Sequence, residues 1–120
     1  TKVYALDVLD LIRNVEVHAL SHVTGGGLVN NLARVMPEDM TAVLQRSSWT
    51  PPSIFQLVQE VGKISQPDID ATLNMGVGMV AMLPASQVDA ALALLQGRGV
   101  ESWLLGEVQA VEGPGAAVLV

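Results

Sequence analysis

The sequence predicts an α/β fold, a mixed β-sheet covered by helices, on three observations. Apolar residues switch between helical and strand periods in the order helix, strand, helix, strand, two helices, strand, helix, strand, strand. Residues 76–83, Gly76-Val77-Gly78-Met79-Val80-Ala81-Met82-Leu83, are apolar throughout, the pattern of a central strand with both faces covered. The last two strands flank Glu112-Gly113-Pro114-Gly115 and are expected to pair as an antiparallel hairpin, which makes the sheet mixed rather than purely parallel.

Residues 2–14 give the first helix. Val3, Leu6, Leu9 and Ile12 fall near one side, widened by Val8, Leu11 and Val15, and Asp10 and Arg13 are spaced to pair on its surface. Over 15–23 the period becomes two, with Val15, Val17, Ala19 and Val23 on one parity and His18, Leu20 and His22 on the other, so a strand is expected. Thr24-Gly25-Gly26-Gly27 turns the chain into a helix over about 27–36 that buries Leu28, Leu32, Val35 and Met36 and stops at Pro37. Residues 41–45 read as a short strand, which Arg46-Ser47-Ser48-Trp49 would extend. Pro51-Pro52 opens a helix through Val61, with Ile54, Leu57, Val58 and Val61 inside and Gly62 near its end.

Residues 67–73 form a short helix with its proline at the start. In the apolar strand Gly76 and Gly78 share a parity and leave one face flat, open to close approach by a helix or ligand. Residues 85–96 form a helix on Val88, Ala91, Leu92 and Leu95, closed by Gly97 or Gly99. Residues 101–110 alternate as a strand, and 116–120 form the last one.

The 120 residues suffice for one domain, 1–120, with a hydrophobic core. Half the chain is apolar and mean hydropathy is +0.43, yet charged or polar residues interrupt every apolar run before it reaches membrane-spanning length. No secretory signal pattern is present, and the absence of cysteine excludes disulfides and thiolate chemistry, which fits a cytoplasmic protein. A net charge of −6 and few aromatic residues argue against nucleic acid as a partner. The chain starts at once with helix-like sequence and stops on a strand, so a domain cut from a longer protein is expected.

The stretch from Ser21 to Pro37 carries the chemistry. Three glycines let a backbone turn sharply and admit a ligand close to the amides, and a helix start beyond them aims unpaired N–H groups at whatever sits there. His22 and Thr24 lie on the rim. Asn31 and Arg34 provide a polar edge that can face the site, although Arg34 equally suits solvent or a carbonyl cap. His22 is suited to donate to a phosphate or to act as acid or base, and equally to a structural role held by backbone groups. His18 lies four residues away, about 13 Å along a strand, too far to share a metal ion, and reads as structural. The glycine triplet lacks the Lys-Ser/Thr ending of a P-loop and the spacing of a dinucleotide fingerprint, and alone fits an ordinary tight turn as well.

Asn74, before Gly76, suits a ligand contact or, more simply, a helix cap. Met75, Met79 and Met82 read as core filler. The acidic pairs Glu38-Asp39 and Asp68-Ile69-Asp70 read as solvated charge. With no carboxylate set for phosphoryl transfer, no Ser-His-Asp arrangement and no zinc spacing, the chain does not read as a complete catalytic machine.

Residues 12–27, from Ile12-Arg13-Asn14 through His22-Val23-Thr24-Gly25-Gly26-Gly27, with Asn31 and Arg34-Val35-Met36-Pro37, resemble the C-terminal domain of phosphoribosylformylglycinamidine cyclo-ligase, also called aminoimidazole ribonucleotide synthetase. Asn74-Met75-Gly76-Val77-Gly78-Met79 is similar to that family's second signature, and Ser102-Trp103-Leu104-Leu105-Gly106-Glu107-Val108 to its third. The blocks occur in order and span nearly the whole chain. Asn30 stands where the family pattern has an acidic residue, Ala33 where a proline is common and Leu73 where phenylalanine is usual.

The resemblance implies a purine-biosynthesis ligase that uses ATP and Mg²⁺ to convert formylglycinamidine ribonucleotide to aminoimidazole ribonucleotide, ADP and phosphate. ATP would activate the formyl oxygen as a phosphate ester before a nitrogen attacks. It implies a three-layer α/β/α domain with partly ferredoxin-like topology, preceded by an N-terminal domain that holds ATP, magnesium and most of a homodimer interface. The fragment alone would then bind no cofactor and be inactive. His22 would be the catalytic residue, with Thr24, Gly25, Gly26, Gly27, Asn31, Arg34, Asn74 and Gly76 binding or supporting substrate and phosphate. Two readings stand beside it. One is the C-terminal domain of a related ATP-dependent enzyme: formylglycinamidine synthetase, selenophosphate synthetase, thiamine phosphate kinase or the hydrogenase-maturation dehydratase. The other is a non-catalytic binding or oligomerisation module.

Overall fold

The structure, a computed structural model, describes residues 2–120. Among the described residues five α-helices, α1 (Ala5–Asn14), α2 (Gly27–Ala33), α3 (Ser53–Gly62), α4 (Gln66–Asp70) and α5 (Val88–Gly97), are interleaved with five strands, β1 (Ala19–His22), β2 (Met40–Leu44), β3 (Met79–Met82), β4 (Gly106–Ala110) and β5 (Ala116–Leu119). The fold is mixed α and β, as the alternating periods require. The strands form two sheets rather than one: an antiparallel β1–β3 ribbon and a three-stranded sheet in the order β4-β2-β5.

The three-stranded sheet is mixed, but not through a terminal hairpin. β2 lies between β4, to which it is antiparallel, and β5, to which it is parallel. Asp39, at the entry to β2, explains the separation. Its backbone N–H donates to the Gly113 carbonyl at 2.8 Å, its carbonyl accepts from Val111 at 3.0 Å, and its carboxylate accepts from the Gly113 N–H at 3.0 Å. The turn expected to close a hairpin is thus bonded to the incoming β2, which wedges the last two strands apart.

Strand 76–83 is shorter and less central than its composition suggests. Left-handed backbone at Met75 (φ 53°) and Gly76 (φ 94°) delays its start, and β3 pairs with β1 alone. Its apolar run still has a reason, because both faces are covered. Val80 and Met82 pack on one cluster, centred on Val23, Leu28, Leu32, Met36, Ala42, Leu44, Val77 and Ala117, while Ala81 and Leu83 pack on another formed by Leu11, Val15 and Ala91. Through the first cluster α2 covers the mixed sheet. Through the second, α1 and α5 cover the ribbon.

The expected helix faces are corrected in two places. On α1, Leu11 and Val15 make the buried contact, whereas Val3, Leu6, Leu9 and Ile12 are exposed. Asp10 pairs not with Arg13 but with Arg98, at 3.1 Å, and Arg98 also pairs with Asp7 at 2.7 Å, tying the end of α5 to α1. On α3 no residue is buried, and Ile54, Leu57, Val58 and Val61, expected inside, are all exposed. Periodicity identifies an apolar stripe and not whether another layer lies over it.

Several boundaries also move. Of strand 15–23 only Ala19–His22 is strand, and Arg46–Ser48 is a 3₁₀ turn rather than an extension of β2. β4 starts at Gly106, where a Cβ would lie 2.0 Å from the Val43 carbonyl oxygen, so only glycine admits the close approach of β2. Among the described residues no helix is long and apolar enough to cross a membrane.

Candidate functional site

The β1–β3 ribbon delivers His22 to its position. His22 ends β1 opposite Met79, and the next residue, Val23, donates its N–H to the Gly78 carbonyl at 2.9 Å. Thr24 and the glycine turn follow. Gly26 and Gly27 have φ of 102° and 77°, in the region that favours glycine. At Gly27 there is also no room, since a Cβ would lie 1.9 Å from the Asp70 carbonyl oxygen. Gly25 faces open space.

Asn31 fastens this turn from beneath. The residue is 6% exposed, and its Nδ2 donates to the carbonyls of Gly27 (2.7 Å), Thr24 (3.2 Å) and Gly25 (3.3 Å) while its Oδ1 accepts from Thr24 Oγ1 at 3.3 Å. Asn30 adds a bond from its Nδ2 to the Gly26 carbonyl at 2.8 Å. Both asparagines of α2 therefore face the loop that opens it, and Asn31 spends its hydrogen-bonding capacity there.

A second turn approaches from β3. Asn74 Oδ1 accepts the Gly76 N–H at 2.9 Å and the Asn74 carbonyl accepts that of Val77 at 2.9 Å. Gly76 abuts Pro52, whose Cδ would lie 2.6 Å from a Cβ there. Trp49 Nε1 donates to the Met75 carbonyl at 3.0 Å and its ring stacks on Trp103 with centroids 6.4 Å apart. The third sequence block is thereby joined to the second, Trp103 to Trp49 to the Asn74 turn, and the first joins the second through the bond from Val23 to Gly78.

Between the two turns lies a cleft of about 460 Å³. Of the residues singled out in the sequence, His22, Thr24, Gly25, Asn74 and Gly78 line it. Gly26, Gly27, Asn31 and Gly76 shape the turns behind it, and Arg34 lies exposed at the end of α2. His18 is on the surface, 2.7 Å from Glu16. Sequence reasoning missed Lys2, Tyr4, Phe55 and Thr72, which complete the walls. The one signal for Tyr4 was the flat face at Gly78. Lys2 and Phe55 come from distant segments that only the folded chain brings together, whereas Thr72 lies two residues before Asn74.

The lining has a charge character of its own. It holds Lys2 and His22 and no carboxylate, in a chain of net charge −6. Such a cleft suits an anion with an apolar part that can rest on Phe55 and Leu73. It does not suit magnesium, which needs oxygen ligands, chiefly carboxylates. Among the described residues no group of three or more His, Asp or Glu side chains is placed to hold a metal ion.

The sequence matches the family described as "AIR synthase related protein, C-terminal domain" over residues 1–118. The chain belongs to this family. It is also 51% identical over 108 residues to a protein of Streptomyces fradiae named "Putative phosphoribosylformylglycinamidine cyclo-ligase". That alignment covers 90% of the chain and 59% of the relative, so the chain spans about three-fifths of that relative's length. In this AIR synthase related domain, the blocks that carried the resemblance are those that build the cleft and its support.

Proposed function

We propose that this chain is the C-terminal domain of a phosphoribosylformylglycinamidine cyclo-ligase and supplies the His22–Gly27 wall of its substrate site. The observation that carries the reading is the cleft, where His22, Thr24 and Gly25 of the first block meet Asn74 of the second. The name of the Streptomyces fradiae relative supports the cyclo-ligase over its superfamily relations. Formylglycinamidine ribonucleotide is the anion, received in this reading by Lys2 and the Gly25 backbone, while Thr24, whose hydroxyl donates to Asn31 Oδ1, shapes the wall between them. His22 lines the cleft, and its role in this reading is to take up the proton lost by the attacking nitrogen as its bond to the formyl carbon forms and the phosphorylated formyl oxygen leaves as phosphate.

The donor set does not fit magnesium, so the metal and ATP are assigned to a preceding domain and no step here passes through them. A cytoplasmic homodimer built on that preceding domain completes the proposal. The test is the full-length protein, assayed for aminoimidazole ribonucleotide and ADP from ATP and formylglycinamidine ribonucleotide. His22→Ala is expected to lower kcat by about 10²–10⁴-fold, the usual worth of a general acid or base. Product formation unchanged in His22→Ala, or absent from the unaltered enzyme, would overturn it.

A further inference from the structure

We propose that Tyr4 is the positioning residue for His22, and that glycine at position 78 is what admits Tyr4 to the cleft. The proposal rests on His22 being the working group of the cleft. Tyr4 and His22 are far apart in sequence, yet their ring centroids lie 5.8 Å apart with planes at 69°, the edge-on geometry aromatic pairs favour. Among the described residues, the side-chain hydrogen bond made by a histidine is that of His18 with Glu16. His22, exposed at a strand end, meets an aromatic ring instead.

Tyr4 is well placed to hold that ring. It is the residue before α1, half-buried, and its carbonyl accepts the Val8 N–H at 2.9 Å. The helix it starts is anchored by Leu11 and Val15 against Ala91. The other end of the phenol is set by Gly78, where a Cβ would lie 1.9 Å from Oη and 3.0 Å from Cζ. Any side chain at position 78 would therefore push the phenol away. Gly78 is also bonded through its carbonyl to Val23 and precedes Met79, the cross-strand partner of His22. One glycine thus governs both the strand contact beside His22 and the space for the ring that steadies it.

Gly78 offers a clean lever, because its φ is not among the left-handed ones and the obstructing atoms belong to the tip of a side chain. An alanine is compatible with the backbone and displaces the phenol. The experiment follows the imidazole resonances of His22 by NMR in the full-length protein, identified as those lost in His22→Gln, alongside steady-state kinetics. Tyr4→Leu and Gly78→Ala are expected to shift those resonances and to lower kcat/KM roughly tenfold, as misplacement of a reacting group does. Tyr4→Phe keeps the ring and is expected to leave the resonances in place and retain activity. Resonances unmoved in both Tyr4→Leu and Gly78→Ala overturn the proposal, whatever the activity does. Resonances that move further than the lost Tyr4 ring current accounts for, together with altered nuclear Overhauser contacts of the His22 ring, in an enzyme without cyclo-ligase turnover sustain the positioning role while removing the proposed function.

Discussion

Asn31 shows how a residue can serve a site without facing it. Its polarity and nearness to the glycine turn marked it as a ligand contact, but its amide lies beneath the loop and bonds three loop carbonyls. The glycines divide in the same way. Gly27 combines a left-handed backbone with a backbone oxygen where a Cβ would go, whereas Gly25 has open space and no such φ. Gly27→Ala is therefore expected to cost about 1–3 kcal/mol from backbone strain alone, with the clash in addition. Gly25→Ala should stay within about 0.5 kcal/mol of the parent. Thermal or urea unfolding of the two variants checks the contrast, and equal losses would contradict it. His22, Thr24 and the glycines were legible in sequence because their residue types and spacing are local. Tyr4 and Lys2 were not, because nothing local says that the start of α1 returns to the end of β1.

At the scale of elements, the sequence identified the five α-helices of the described residues and mistook which face is covered on α1 and α3. The α3 stripe is as apolar as a core face, yet Leu57 and Val61 are 54% and 76% exposed, whereas Leu32 of α2 is 1% exposed. Leu32→Ala should cost about 2–5 kcal/mol in unfolding free energy. Val61→Lys should change it by no more than about 0.5 kcal/mol. A cooperative loss of stability in Val61→Lys would show that α3 is covered after all. The link between α1 and α5 is electrostatic as well as apolar. The hydrogen bond from Arg98 to Asp7, with a further one to Asp10, favours the charged guanidinium and moves its pKa up. A raised value means the stabilisation is present below the unfolded-state pKa and lost only as pH rises through the folded one, so Arg98 itself adds no pH dependence near neutrality. Arg98→Ala should lower Tm slightly, and the difference from the parent should shrink as salt is added, because exposed pairs are screened.

Over the whole molecule, the cleft is a wall without the carboxylates that phosphoryl chemistry needs. The 120-residue chain alone is accordingly expected to form no ADP from ATP and magnesium, with or without formylglycinamidine ribonucleotide. ADP formation dependent on that ribonucleotide would defeat the division of labour proposed here. The sequence by itself determined the element types, the mixed class of fold, the glycine turn with His22 beside it, and the three blocks that mark the family, since each is written in local period, turn chemistry or a contiguous motif. The tertiary structure decided that β2 separates β4 from β5, that the apolar run around β3 serves a two-stranded ribbon with a cluster on each face, that α3 is uncovered, and that Tyr4 meets His22 at Gly78. The reason is physical. Strand order, helix coverage and cleft walls depend on contacts between segments distant in sequence, and hydrophobic periodicity states that a face is apolar without naming what it will meet.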